Sequence, residues 1–225
     1  MKVLIFTSSY YKRPYMLRQS ILSGMNQSYE NIIHSINITS DSTTLTKDFS
    51  PLYKDLSGKF IINQSANSQY GFSHFNNMNA IRFVPDWEIY DLFVKMDDDD
   101  IYKKYYVENI VNHFKVNSDI DIVSSKITYQ LNGYDLYVRD VDKYDNLGGN
   151  PGDTNYAMPL TFAFTKRALN TIINLTVNDV NGHDDMMWRT AWYKEGLKHS
   201  LIDNSDNVIW NIHGKNASVA GFLRT

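Results

Sequence analysis

Leu92-Phe93-Val94-Lys95-Met96-Asp97-Asp98-Asp99-Asp100 is the stretch that decides how this chain of 225 residues folds. A short, mostly apolar run passes directly into four carboxylates. Beyond them, Tyr106, Val107, Ile110, Val111 and Phe114 recur at the spacing of one face of an amphipathic helix. The first part reads as a buried strand and the last as a helix packed on it, so the aspartates fill the strand-to-helix loop. Open α/β sheets bind their ligands at the carboxyl ends of their strands, and the acid run stands at such an end.

The same alternation extends in both directions. Val3 to Phe6 is an apolar run that meets polar Thr7-Ser8-Ser9, and Pro14 opens a helical stretch with Leu17, Ile21 and Leu22 that ends near Gly24. Ile32 to Ile38 reads as a second strand, stopped by the polar loop Thr39 to Thr44, and Phe60-Ile61-Ile62 as a third. Phe75, Met78 and Ile81 mark the next helix. Downstream, Ile120 to Ser124 and Ile127 to Leu131 read as two strands, and Asn132-Gly133 as a hairpin turn before Leu136-Tyr137-Val138. After a Gly- and Asn-rich loop over 146–155, Leu160 to Phe164 gives a strand and Lys166 to Leu175 a helix. Met187, Trp188, Ala191 and Trp192 form the stripe of another helix, stopped by Gly196, and Ile209 to Ile212 is the final strand. No internal repeat divides the chain. The pattern predicts one α/β domain with a mostly parallel sheet covered on both faces.

Composition removes several function classes. With 22 Lys and Arg against 25 Asp and Glu, the net charge is -3, and no basic cluster suits a nucleic-acid backbone. Cysteine is absent, which excludes a disulfide framework, a thiolate metal site and a Cys nucleophile. The apolar run at the N-terminus is too short for a signal sequence or a membrane span, so a cytoplasmic protein with no integral membrane segment is expected.

Four adjacent carboxylates raise one another's pKa unless a cation sits among them. Hard divalent ions take oxygen ligands, and a strand end would aim Asp97 and Asp99 the same way. A solvated acidic cap of the following helix is the competing account. An EF-hand is excluded, because its loop needs Gly at the sixth position, where Tyr102 stands. Further on, the pair Asp184-Asp185 precedes a helix and offers either a general base or a cap. His213 offers either a metal ligand or a loop histidine.

Taken in order, these segments resemble the inverting GT-A-type glycosyltransferases, in particular the large family related to bacterial cell-wall and polysaccharide sugar transferases. The segment Tyr11-Lys12-Arg13-Pro14, its helix and Gln27-Ser28-Tyr29-Glu30-Asn31 are similar to that family's Tyr-Asn-Arg-Pro opening and Gln-Thr-Tyr-x-Asn turn. Thr39-Ser40-Asp41-Ser42-Thr43 resembles its Asp-Gly-Ser-Thr turn without the Gly, and Met96 to Asp100 its Leu-Asp-x-Asp-Asp metal motif. Asp184-Asp185 with Trp188-Arg189 and Gly196 resembles the Glu-Asp catalytic motif and its helix, with Asp where Glu is usual. His213 to Ser218 resembles the C-terminal His-x-x-Asn-x-Ser segment.

The resemblance implies a single GT-A-type domain over 1–225, with a Rossmann-like nucleotide-sugar-binding half at 1–115 and an acceptor-binding and catalytic-base half at 116–225. It implies sugar transfer from a nucleotide-diphosphate sugar, UDP-linked, to a carbohydrate or other hydroxyl acceptor with inversion. Asp99 and His213 would hold Mn²⁺ or Mg²⁺. Thr7, Ser8, Asp41, Asn79, Asp97 and Asp98 would meet the donor, and Asp185 or Asp184 would be the base. Asp100 has no direct part in this assignment. Two other readings remain: a nucleotidyltransferase, whose Gly-rich basic phosphate loop is missing here, and an inactive sugar- or nucleotide-binding module, against which the intact acids speak.

Overall fold

Alternate residues of strand β1 (Val3–Tyr10) enter two different cores, as the period-two geometry of a strand requires. Leu4 and Phe6 join one core, while Val3 and Ile5 join another on the opposite face of the sheet. The computed structural model describes residues 1–40, 48–66, 73–132, 134–140, 161–176 and 184–212.

The remaining strands are β2 (Ile32–Ser40), β3 (Phe60–Ala66), β4 (Leu92–Lys95), β5 (Ile101–Tyr102), β6 (Ile122–Asn132), β7 (Asp135–Asp140), β8 (Ala163–Thr165), β9 (His199–Asp203) and β10 (Val208–Ile212). They form one sheet in the order β3-β2-β1-β4-β8-β6-β10-β5, with β7 and β9 also paired to β6. The half from β3 to β4 is parallel throughout. The other half is mixed, because β8 runs antiparallel to both β4 and β6 while β9 and β10 run parallel to β6. An α/β fold with a mostly parallel sheet is therefore what the chain adopts.

Helices cover both faces. Helices α2 (Ser73–Arg82), α4 (Lys166–Ile172) and α5 (Asp184–Lys194) bury Met78, Ile81, Leu169, Trp188 and Trp192 against Phe6, Phe93 and Phe164. On the other face α3 (Tyr106–Val116) lays Tyr106, Val107, Ile110, Val111 and Phe114 on Val94 and Val123, the stripe read from the sequence. Helix α1 (Pro14–Met25) closes a third cluster through Leu17 and Ile21 against Ile36 and Ile38 of β2.

Two expectations change, and a third gains its reason. The two strands placed over 120–131 are one, β6, which stays paired to β9 across an irregularity between Ser125 and Ile127. There the Ser125 N–H donates to Thr161 Oγ1 at 2.8 Å, so a side chain satisfies the main chain where the ladder shifts. Helix α1 ends at Met25, beside Gly24 as expected, and at Gly24 an added Cβ would fall 2.1 Å from Nδ1 of His34. Strand β9, too polar to be read as one, pairs in parallel with the first half of β6, whose second half pairs with β10. Gly196 stops α5. At φ +64° it lets its own N–H bond the Tyr193 carbonyl and the Leu197 N–H bond that of Trp192, a Schellman closure.

Candidate functional site

The acid run leaves β4 at the carboxyl end of the parallel half of the sheet, and β1, next to β4, supplies its support. Thr7 of β1 is fully buried and donates its hydroxyl to the Met96 carbonyl at 2.7 Å, fixing the residue before Asp97. Since that hydrogen is committed, Nε2 of His34, 2.9 Å away, must be the donor to Thr7 Oγ1. Burial holds the His34 pKa down at about 3. Thr7, expected at the nucleotide, is thus spent inside the protein.

Along the run the side chains alternate. Asp98 and Asp100 are buried, while Asp97 and Asp99 keep side-chain exposures of 29% and 14%. Asp98 accepts from Ser9 Oγ at 2.7 Å through Oδ2 and from Arg13 Nη2 at 2.9 Å through Oδ1. Its pKa is raised to about 7, chiefly by burial and further by Asp99 and Asp97, against the pull of Arg13 and Ser9. Asp99 meets the other end of the same guanidinium, Arg13 Nη1, at 3.0 Å. Asp97 holds Lys95 Nζ between its oxygens at 2.8 and 3.0 Å, and its main-chain N–H donates to Tyr102 Oη at 2.8 Å.

Asp100 accepts the main-chain N–H of Asn211 at 2.9 Å, and its carbonyl accepts Gln19 Nε2 at 3.0 Å. It therefore ties the run to β10 and α1. Burial, reinforced by Asp97 and Asp99, pushes its carboxyl well above the usual range, while the Asn211 N–H and Lys95 pull it back.

Helix α5 opens on the same side of the sheet. Trp188 is fully buried among Phe6, Phe162 and Phe164, and its indole N–H donates to Nδ1 of His74, in the first turn of α2, at 2.8 Å. Helix α5 ends where β9 begins beside Ile122, at the start of β6, so its first residues Asp184 and Asp185 stand toward the strands' carboxyl ends. The side chains of Asp184 and Asp185 lie outside the described residues, as do Asp41 and His213 altogether. Ser8 is half-buried beside Ser9, and Asn79 is half-buried within α2. Ser9, Arg13, Lys95 and Tyr102 carry the acid run but were not singled out from the sequence. Arg13 lies within the opening motif, yet nothing local signals a partner 86 positions away.

Among the described residues no three acidic or histidine side chains converge as a preformed metal cage. The oxygen donors nevertheless suit a hard divalent ion, since Mg²⁺-type sites use one or two carboxylates and complete their shell with water and substrate phosphates. Asp99 and Asp97 are the members of the run with surface for that purpose.

No protein-family model matches the chain, and no curated protein matches it by sequence. Solved structures do match. S. aureus TarS residues 1–349 superposes with a TM-score of 0.62 at 13% identity, covering 94% of this chain and 60% of that one. The chain therefore shares the α/β fold of that TarS fragment. The same TarS fragment in complex with UDP-GlcNAc gives a TM-score of 0.60 at 12% identity over 96% of this chain. A longer TarS structure gives 0.60 at 13% identity, with 37% of its length covered. The chain thus spans about 60% of the shorter TarS structures. Within this fold, the acid run, Arg13 and the start of α5 share the carboxyl-end side of the parallel strands, where such sheets bind ligands. No helix among the described residues is long and apolar enough to cross a membrane.

Proposed function

We propose that the chain transfers a sugar from a nucleotide-diphosphate donor, UDP-linked, to an acceptor hydroxyl with inversion, using Mn²⁺ or Mg²⁺. The observation that carries this reading is the alternation of the acid run: two aspartates are buried as supports and two, Asp97 and Asp99, are presented at the sheet's carboxyl end. The solved complexes of TarS with UDP and UDP-GlcNAc support the choice of donor.

The parts then divide. Asp99, with His213, is assigned to the cation, which when bound neutralises charge on the departing diphosphate. Asp97 is assigned to the nucleotide. Asp98, enclosed by Ser9 and Arg13, orients that guanidinium instead of meeting the donor. Asp185, in the first turn of α5, is assigned to take the acceptor hydroxyl's proton, with Asp184 as its neighbour. Such a general base contributes typically 10² to 10⁴-fold. The Trp188–His74 bond and the aromatic packing around it anchor α5, the helix to which the base is assigned.

A thermal-shift screen of UDP-, GDP- and other nucleotide sugars, with and without Mn²⁺, tests the reading. A ligand at 100 times its Kd stabilises by about 2.7 kcal/mol. For a domain of this size that is a Tm rise of about 5 to 10 °C. The rise is expected with a UDP-sugar and Mn²⁺ together, and Asp99→Ala should remove the Mn²⁺-dependent part. Equal responses to every nucleotide, or an unchanged Mn²⁺ effect in Asp99→Ala, would sink it.

A further inference from the structure

The two presented acids each face a cation from this chain: Lys95 grips Asp97, and Arg13 bridges Asp98 and Asp99. The second arrangement is the more informative. Asp98 is buried and has its other oxygen committed to Ser9, so it anchors one end of the guanidinium. The other end lies 3.0 Å from Oδ2 of Asp99, on the carboxylate assigned above to the metal. The Arg13 side chain is 21% exposed, while its Nε is buried without a hydrogen-bond partner among the described residues, so the guanidinium is held partly inside the site. Its place is set by the fold, because Arg13 immediately precedes Pro14 at the first position of α1, where proline fixes the backbone.

We propose that Arg13 is a positioning residue that competes with the divalent cation for Asp99, so that the cation binds firmly only when a donor diphosphate supplies further negative charge. This rests on the glycosyltransferase reading. A divalent ion on Asp99 would stand a few ångströms from the guanidinium, and like charges at that distance repel even through water. An incoming diphosphate offers both cations an anion. Arginine suits this task, because its planar fork pairs with phosphate as readily as with carboxylate. Donor and metal then bind cooperatively through a residue that does not itself ligate the metal.

The test is Mn²⁺ binding, read from the electron paramagnetic resonance signal of the free ion. Wild type, Arg13→Gln and Arg13→Lys are each titrated alone, with UDP and with inorganic pyrophosphate. Without nucleotide, Arg13→Gln should bind Mn²⁺ about tenfold more tightly than wild type, the effect of removing one unit charge near a divalent ion in water. The enhancement of Mn²⁺ binding by UDP or pyrophosphate should shrink correspondingly. Arg13→Lys, which can hold only one of the two carboxylates, should tighten Mn²⁺ binding a few-fold, and it decides the matter if Arg13→Gln does not fold. A purely structural arginine predicts the opposite sign: unchanged or weaker Mn²⁺ binding in both variants overturns the proposal. Failure of the donor reading is distinguishable, since it would appear as no effect of UDP on the wild-type protein, whereas the nucleotide-free titrations do not involve a donor.

Discussion

Replacing Gly24 by alanine should destabilise this protein although alanine is the better helix former. The position is in the last turn of α1, where Gly→Ala alone gains at most about 1 kcal/mol. Against that gain, the new Cβ would fall 2.1 Å from Nδ1, 2.8 Å from Cγ and 3.0 Å from Cε1 of His34. The ring cannot swing away cheaply, because it is buried and its Nε2 is held by Thr7, whose hydroxyl seats Met96. Overpacking of a tight core costs about 1 to 3 kcal/mol, and a contact this short belongs at the upper end. The net loss is about 1 to 2 kcal/mol. In urea, with a slope of about 2 kcal/mol per molar, the midpoint should fall by about 0.5 to 1 M at unchanged slope. Placing the same substitution in a His34→Ala background should remove most of the loss. A Gly24→Ala midpoint equal to or above wild type would refute the reasoning that the glycine is there for close approach.

Other consequences follow from the same contacts. His34 has a folded pKa of about 3 against an ordinary 6.5, so the unfolded chain takes up its proton first, and this contribution to stability is lost as pH falls below about 6.5. Relative to His34→Gln, wild type should therefore gain stability between pH 4 and 6 by about 1.4 kcal/mol per unit, and parallel urea-midpoint curves would contradict this. Trp188→Phe removes the donor to the buried His74 and should cost about 1 to 3 kcal/mol by thermal melting; a change under 0.5 would mean the bond is not needed. Asp185→Asn should lower kcat by about 10² to 10⁴-fold while leaving nucleotide affinity alone, and a kcat within a few-fold of wild type would remove Asp185 from the base role.

What the sequence revealed depended on how local each signal is. Val3 to Phe6 of β1 and Leu92 to Val94 of β4 are continuous apolar runs buried on both faces, and α3 carries a complete stripe, so none of them needs tertiary context to be recognised. Gly196 was readable as a helix stop for the same reason. The helix end beside Gly24 was equally legible, but a glycine there has two possible causes, and only the position of His34 shows that close approach is one of them. β9 is half-buried and polar, and it becomes a strand only because β6 is already beside it. Within the site the acids announce themselves in sequence, but their division into buried supports and presented groups does not. That division comes from Ser9 and Arg13, which reach the run from β1 and the start of α1. Asp100, without a direct part in the sequence assignment, proves to be the tie to Asn211 of β10.

The most direct test of the central claim is turnover: incubation with a UDP-sugar and Mn²⁺, with released UDP quantified and the anomeric configuration of the product read by NMR. Wild type should release UDP and form a product of inverted configuration, and Asp99→Asn, at undiminished thermal stability, should lose this activity. Retained configuration, or equal release by Asp99→Asn, would contradict the assignment of the acid run to donor activation.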